Sequence, residues 1–188
     1  MEEENYEYPA DIVLDSIRSV TSTIFSEHFN HFGNARGFVE SMFVMLSSQE
    51  RLVLRDDGSL VQATMLLGGN AVELYLKAYL RQEGIKADDI KTHDLKKLFN
   101  LCKEKGLASI DNPKIRGLIE LFNEPHKTHQ YRYIKVGDYE RQVCSLPIFF
   151  EWFSALDSVI TEAMGFPHYR SRSGARWEFP EDKPDWRI

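Results

Sequence analysis

The sequence has no uninterrupted apolar run approaching the roughly 18 residues of a membrane-crossing helix. Its opening, "MEEENYEYPADIV", is acidic and lacks the charged, apolar and small-residue order of a secretory leader. Both absences lead to the expectation of a soluble, cytoplasmic protein with no membrane partner. Cysteine is scarce: Cys102 and Cys144 lie far apart and form no CxxC pair, so two reduced, partly buried thiols are expected. Positive charge is not in excess either. The formal net charge of −6 gives no global attraction for nucleic acid, so any such contact would have to rest on a local basic patch. Internal repeats are missing and alternating, strand-like runs are few.

What remains is helical periodicity over an ordinary globular composition, 43% hydrophobic and 28% charged. In "PADIVLDSIRSVTSTIF", Val13, Ile17, Val20 and Ile24 recur at helical spacing. A break is expected at "HFNHFGN", and Phe38, Met42, Met45 and Leu46 then share a side. "RDDGS" reads as a turn, with Ser59 as N-cap of the next helix. That helix should close at Gly84. The next carries Leu95, Leu98, Phe99 and Cys102, started by Thr92 or Asp94 and ended by Gly106. Asn112 and Pro113 open another, with Ile115, Leu118, Ile119 and Phe122 as its stripe. From Asn123 the period fails, and Leu146, Phe149, Phe150, Phe153, Leu156 and Ile160 restore it. The fold class expected is all-α, an antiparallel helical bundle with extra N-terminal helices and an extended C-terminal arm. The expected boundaries are 1–58 for the N-terminal helices, 59–164 for the bundle and 165–188 for the arm.

"GGNAVELYLKAYL" is the most informative stretch. At about 100° per residue, Asn70, Glu73, Lys77 and Arg81 fall within roughly 80° of the helix circumference. The rest is apolar, which predicts a central post touched by at least two other helices. The polar seam is either a solvated edge with a Glu73–Lys77 pair, or a surface facing the irregular segment or a second subunit.

Ala71, Glu73, Leu76, Lys77 and Ala78, followed by His93, Asp94, Leu95 and Leu98 and later by Arg132 and Tyr133, resemble the HEPN family. The resemblance spans roughly Leu60 to Met164. It implies a helical bundle, often a homodimer, from prokaryotic toxin–antitoxin or defence systems. It also implies a nucleotide, RNA or protein partner, such as a minimal nucleotidyltransferase. Many members are metal-independent ribonucleases carrying an arginine, four to six residues and a histidine. No histidine of this chain has an arginine at that spacing. The expectation is therefore a binding or regulatory module rather than an enzyme. The alternative is a divergent ribonuclease using His126 or His129 with Arg132.

Within "NEPHKTHQYRY", Arg132 suits a bidentate phosphate clamp, Lys127 or Lys135 a point charge, and Tyr133 a stacking ring. In a purely structural reading, Arg132 instead pairs with Glu73. The candidate ligand-binding residues are Glu73, Lys77, His93, Lys127, Arg132 and Tyr133; the candidate catalytic ones are His126, His129 and Arg132. His93 is expected in the first turn of its helix, where the dipole favours a neutral ring. His28/His31 and His126/His129 form H-x-x-H pairs without a nearby third ligand, so neither metal nor other cofactor is expected. In the arm, Arg170, Arg172 and Arg176 alternate with aromatics, but packing through Trp177, Phe179 and Trp186 is favoured over nucleic-acid contact.

Overall fold

The computed structural model describes residues 27–47, 58–130, 146–165 and 177. The stretch around Val13–Ile24, Cys144, Arg132, Tyr133, Lys135 and the arm apart from Trp177 lie outside the described residues. Within them the chain is all-α: α1 Glu27–Ser47, α2 Gly58–Gln82, α3 Leu95–Glu104, α4 Pro113–Lys127 and α5 Leu146–Ala163, with short 3-10 turns at Ala87–Ile90 and Ala108–Ile110. No described residue lies in a strand.

α2 is the central post, packed against all four other described helices. Ala71, Val72, Tyr75, Leu76, Ala78, Tyr79 and Leu80 are buried around most of its girth, as a helix apolar over that arc requires. Each large side chain among them contributes about 1.5–3 kcal/mol by leaving water. Across from α2, Phe122 of α4 and Phe149, Phe150 and Phe153 of α5 interlock with tilted or edge-on rings, centroids 5.1–6.0 Å apart.

The helix ends follow local chemistry. Asp94 caps α3 by accepting from Lys97 N, and Asn112 caps α4 by accepting from Lys114 N, with Pro113 at the first helical position. Gly84 and Gly106, at φ 77° and 99°, take the left-handed conformation that closes α2 and α3.

Three expectations change. The break at "HFNHFGN" is absent: α1 runs straight through it. Phe32, Ala35, Val39, Met42 and Leu46 repeat every three or four residues against α2, and that burial outweighs the poor helix propensity of Asn and Gly. Ser59 lies inside α2, which already includes Gly58. The third change is that α4 does not stop at Phe122 but continues to Lys127, with Pro125 in its last turn.

A buried polar knot joins three helices. Asp157 of α5 is fully enclosed. It accepts two hydrogen bonds from Arg36 of α1, both 2.8 Å, and one from the Tyr75 hydroxyl of α2 at 2.7 Å. The Arg36 guanidinium also lies over the Phe32 ring, 4.8 Å from its centroid. Trp177, the described part of the arm, is buried and donates its indole N–H to Glu40 at 2.6 Å.

Candidate functional site

The site grows from the double glycine in the middle of α2. A glycine inside a helix costs about 0.5–1 kcal/mol relative to alanine, so two in succession call for a steric reason. Gly68 lies directly under the Phe122 ring, and a Cβ at Gly69 would stand 2.7 Å from His126 Nδ1. Phe122 and His126 are one turn apart on α4, and Gly69 and Glu73 are one turn apart on α2. The two helices thus meet closely enough for the His126 imidazole to cross the glycine and reach the Glu73 carboxylate.

Glu73 is 7% exposed and His126 5%. Oε2 of Glu73 accepts from His126 Nε2 at 2.5 Å and from His93 Nδ1 at 2.8 Å. Its other oxygen, Oε1, accepts from Lys77 Nζ at 2.7 Å. Burial alone raises the pKa of such a carboxyl. The hydrogen bonds from His126, Lys77 and His93 outweigh it and hold Glu73 at about 2, so it is an anion throughout the physiological range.

His93 is the outward member, with 43% of its side chain exposed. It stands one residue before the Asp94 cap rather than in the first turn, which corrects the sequence expectation. Its Nδ1 faces the Glu73 carboxylate. The segment carrying it is pinned from both sides. Thr92 Oγ1 accepts from Asp94 N at 3.1 Å, and Asn123 Oδ1 of α4 accepts from Lys96 N at 2.9 Å.

His129 completes a row of three imidazoles. Its ring lies edge-on to His93 with centroids 4.8 Å apart, and His93 lies edge-on to His126 at 5.5 Å. His129 follows the C-cap of α4 at φ 56°, a left-handed position that glycine or asparagine usually fills. At the rim, Lys127 Nζ contacts Asp94 at 3.1 Å with both groups on the surface side.

The structure therefore gathers Glu73, Lys77, His93, His126 and His129, with Lys127 at the rim. Arg132 and Tyr133 lie outside the described residues, as does the Arg132–Glu73 pairing. Sequence reading missed that His126 continues the apolar stripe of α4 and that Gly69 exists to admit it. It also looked for a third metal ligand near His126 and His129 in the chain, whereas the ligand-forming atoms of Glu73, His93 and His126 lie within 4.8 Å of one another. The signal available was the glycine pair one turn ahead of a glutamate. Further along α2, Arg81 leaves the cluster and pairs with Glu27 of α1.

Residues 56–146 match the family model of the HEPN domain, and that segment is similar to the HEPN family. No curated protein and no solved structure matches the chain. HEPN domains often dimerise and bind nucleotides or RNA, and the match suggests a nucleotide-related or ribonuclease-like module. No helix among the described residues is long and apolar enough to cross a membrane.

Proposed function

We propose that the imidazole row on Glu73 is the contact surface of a binding or regulatory module for a phosphate-bearing ligand, a nucleotide or an RNA. The observation that carries this reading is the partly exposed His93 ring, fixed at Nδ1 by a buried carboxylate whose own charge is already balanced by Lys77. The Glu73–Lys77 pair thus leaves no net negative charge behind the His93 ring to repel a phosphate. As an imidazolium, His93 would supply a directed donor through Nε2, and Lys127 exchanges Asp94 for the ligand at little cost, because both are exposed enough to be solvated. Arg132 is assigned the bidentate clamp and Tyr133 the stacking ring on sequence grounds. His126, sealed between Gly69 and Glu73, acts as a positioning residue. The homodimer, the toxin–antitoxin or defence setting and a nucleotidyltransferase partner are parts of this proposal that rest on the similarity of residues 56–146 to the HEPN family.

A second reading, a divergent metal-independent ribonuclease, is favoured by one feature. A carboxylate-oriented imidazole is the arrangement of a general base, and a second imidazole, His129, lies beside it in a strained left-handed backbone position. One ring would take the proton of a ribose 2′-OH as its oxygen attacks phosphorus. The other would return a proton to the departing 5′-oxygen, with Arg132 holding the phosphate.

Both readings are tested in EDTA with a fluorescent ATP analogue and a labelled single-stranded RNA pool. Binding that weakens with salt is expected, and His93→Ala, Lys127→Ala and Arg132→Ala should each reduce affinity by about 10-fold, the value of a charge-assisted hydrogen bond. No binding of either probe, or affinity indifferent to all three changes, would defeat the module reading. RNA cleavage lost in His93→Ala and His129→Ala would establish the enzyme; RNA left intact at high protein concentration removes it.

A further inference from the structure

We propose that Glu73, His93 and His126 form a binding site for a zinc-class divalent metal ion. The proposal goes beyond the phosphate-binding reading and does not depend on it. Glu73 Oε2, His93 Nδ1 and His126 Nε2 all lie within 4.8 Å of one another. Two imidazoles and one carboxylate are the ligand set of zinc sites that keep a fourth position open for water or substrate.

The geometry is close to what such an ion needs. Zinc bonds of about 2.0–2.1 Å at tetrahedral angles set donor atoms roughly 3.3 Å apart. The present separations from the carboxylate oxygen are 2.5 Å for His126 and 2.8 Å for His93. From the carboxylate oxygen, His126 has to draw back by about 0.8 Å and His93 by about 0.5 Å, while the two ring nitrogens, within 4.8 Å of each other, close toward the same spacing. His93 can make its share of that change readily, because it stands on the connection before α3 rather than within a helix and its ring is partly exposed; the Glu73–His126 share falls on side-chain rotation. The same exposure provides the path by which an ion enters.

The surrounding contacts suit a metal as well. Lys77 holds the second carboxylate oxygen at 2.7 Å and so fixes which oxygen faces the imidazoles. Glu73 and His126 are anchored on two rigid helices that meet at Gly69. With Glu73 and Lys77 cancelling, a bound dication leaves the site with a net charge of about +2, which favours water, hydroxide or an anionic oxygen in the fourth position. His129 and the His28/His31 pair are not required.

The full chain, stripped with EDTA and dialysed, is titrated with zinc by calorimetry and with cobalt(II) by visible absorption. One equivalent of zinc should bind, and cobalt should give the intense ligand-field bands of a low-coordinate site. His93→Ala and Glu73→Gln should each lower zinc affinity by at least about 10-fold, while the double change His28→Ala/His31→Ala leaves it unaltered. Because His93 is partly exposed, His93→Ala keeps the test decisive even if Glu73→Gln unfolds. No stoichiometric binding, binding that survives His93→Ala, or binding lost in the His28/His31 variant would each overturn the site. Phosphate-ligand binding is measured in EDTA, so failure of either proposal is seen separately.

Discussion

Glu73 concentrates the electrostatics of the site in one side chain. With three donors on its two oxygens and little water, its ionised form is favoured far more in the folded chain than in the unfolded one. A carboxylate whose folded pKa is depressed stabilises the fold above its unfolded value and loses that contribution as pH falls through the folded one. For Glu73 the window runs from about 4.5 down to about 2. The contribution lost is on the order of 3 kcal/mol, taking 1.36 kcal/mol per pKa unit. In metal-free buffer, the urea midpoint of the native chain should therefore drop between pH 5 and pH 3. Glu73→Gln should start lower at pH 7 and fall less over the same interval. An identical pH slope in both proteins would show that Glu73 is not the group responsible.

At the scale of the element, glycines in two helices serve opposite purposes. Gly33 on α1 has open space where its Cβ would be, so Gly33→Ala should gain helix propensity and stabilise by about 0.5–1 kcal/mol. Gly69→Ala gains the same propensity but drives a methyl group into the His126 ring, and overpacking of that kind costs about 1–3 kcal/mol. Thermal melts of the two variants should shift in opposite directions; a shared upward shift would mean that His126 does not need the gap. The same contrast explains how far the sequence could be read. Apolar periodicity located α5 and, together with orthodox caps, α3 and the start of α4, because there the local preference and the core agree. It failed at "HFNHFGN", where polar residues and glycine suggest a turn but the buried face of α1 keeps its spacing. It failed again after Phe122, because His126 occupies an apolar position for the sake of a carboxylate more than fifty residues earlier. A pattern rule cannot see a partner that distant. The polar seam on α2 was legible as a line, but which of its members met the irregular segment was not.

For the whole molecule, the segment that matches the family and the unit that folds are different lengths. The match covers 56–146, yet Tyr75 within it bonds Asp157 of α5, which in turn holds Arg36 of α1. Phe149, Phe150 and Phe153 also lie beyond the match and fill the core. A fragment of 56–146 should therefore lack a cooperative thermal transition. In the full chain, Arg36→Ala removes a paired counter-charge from the buried Asp157 and should cost about 3–5 kcal/mol. Tyr75→Phe, which removes one bond to a charged group, should cost about 1.5–3 kcal/mol. Denaturant curves of the two variants should rank in that order, and an Arg36→Ala protein as stable as the native one would show that the knot does not clamp the three helices.

The crossing at Gly69 also constrains how relatives of this chain can diverge. A lineage that acquires any side chain at position 69 loses the room that His126 occupies, and one that replaces His126 no longer needs the glycine. The two positions should accordingly change as a pair, so a comparison of descendants carrying bulk at one and imidazole at the other ought to find almost none.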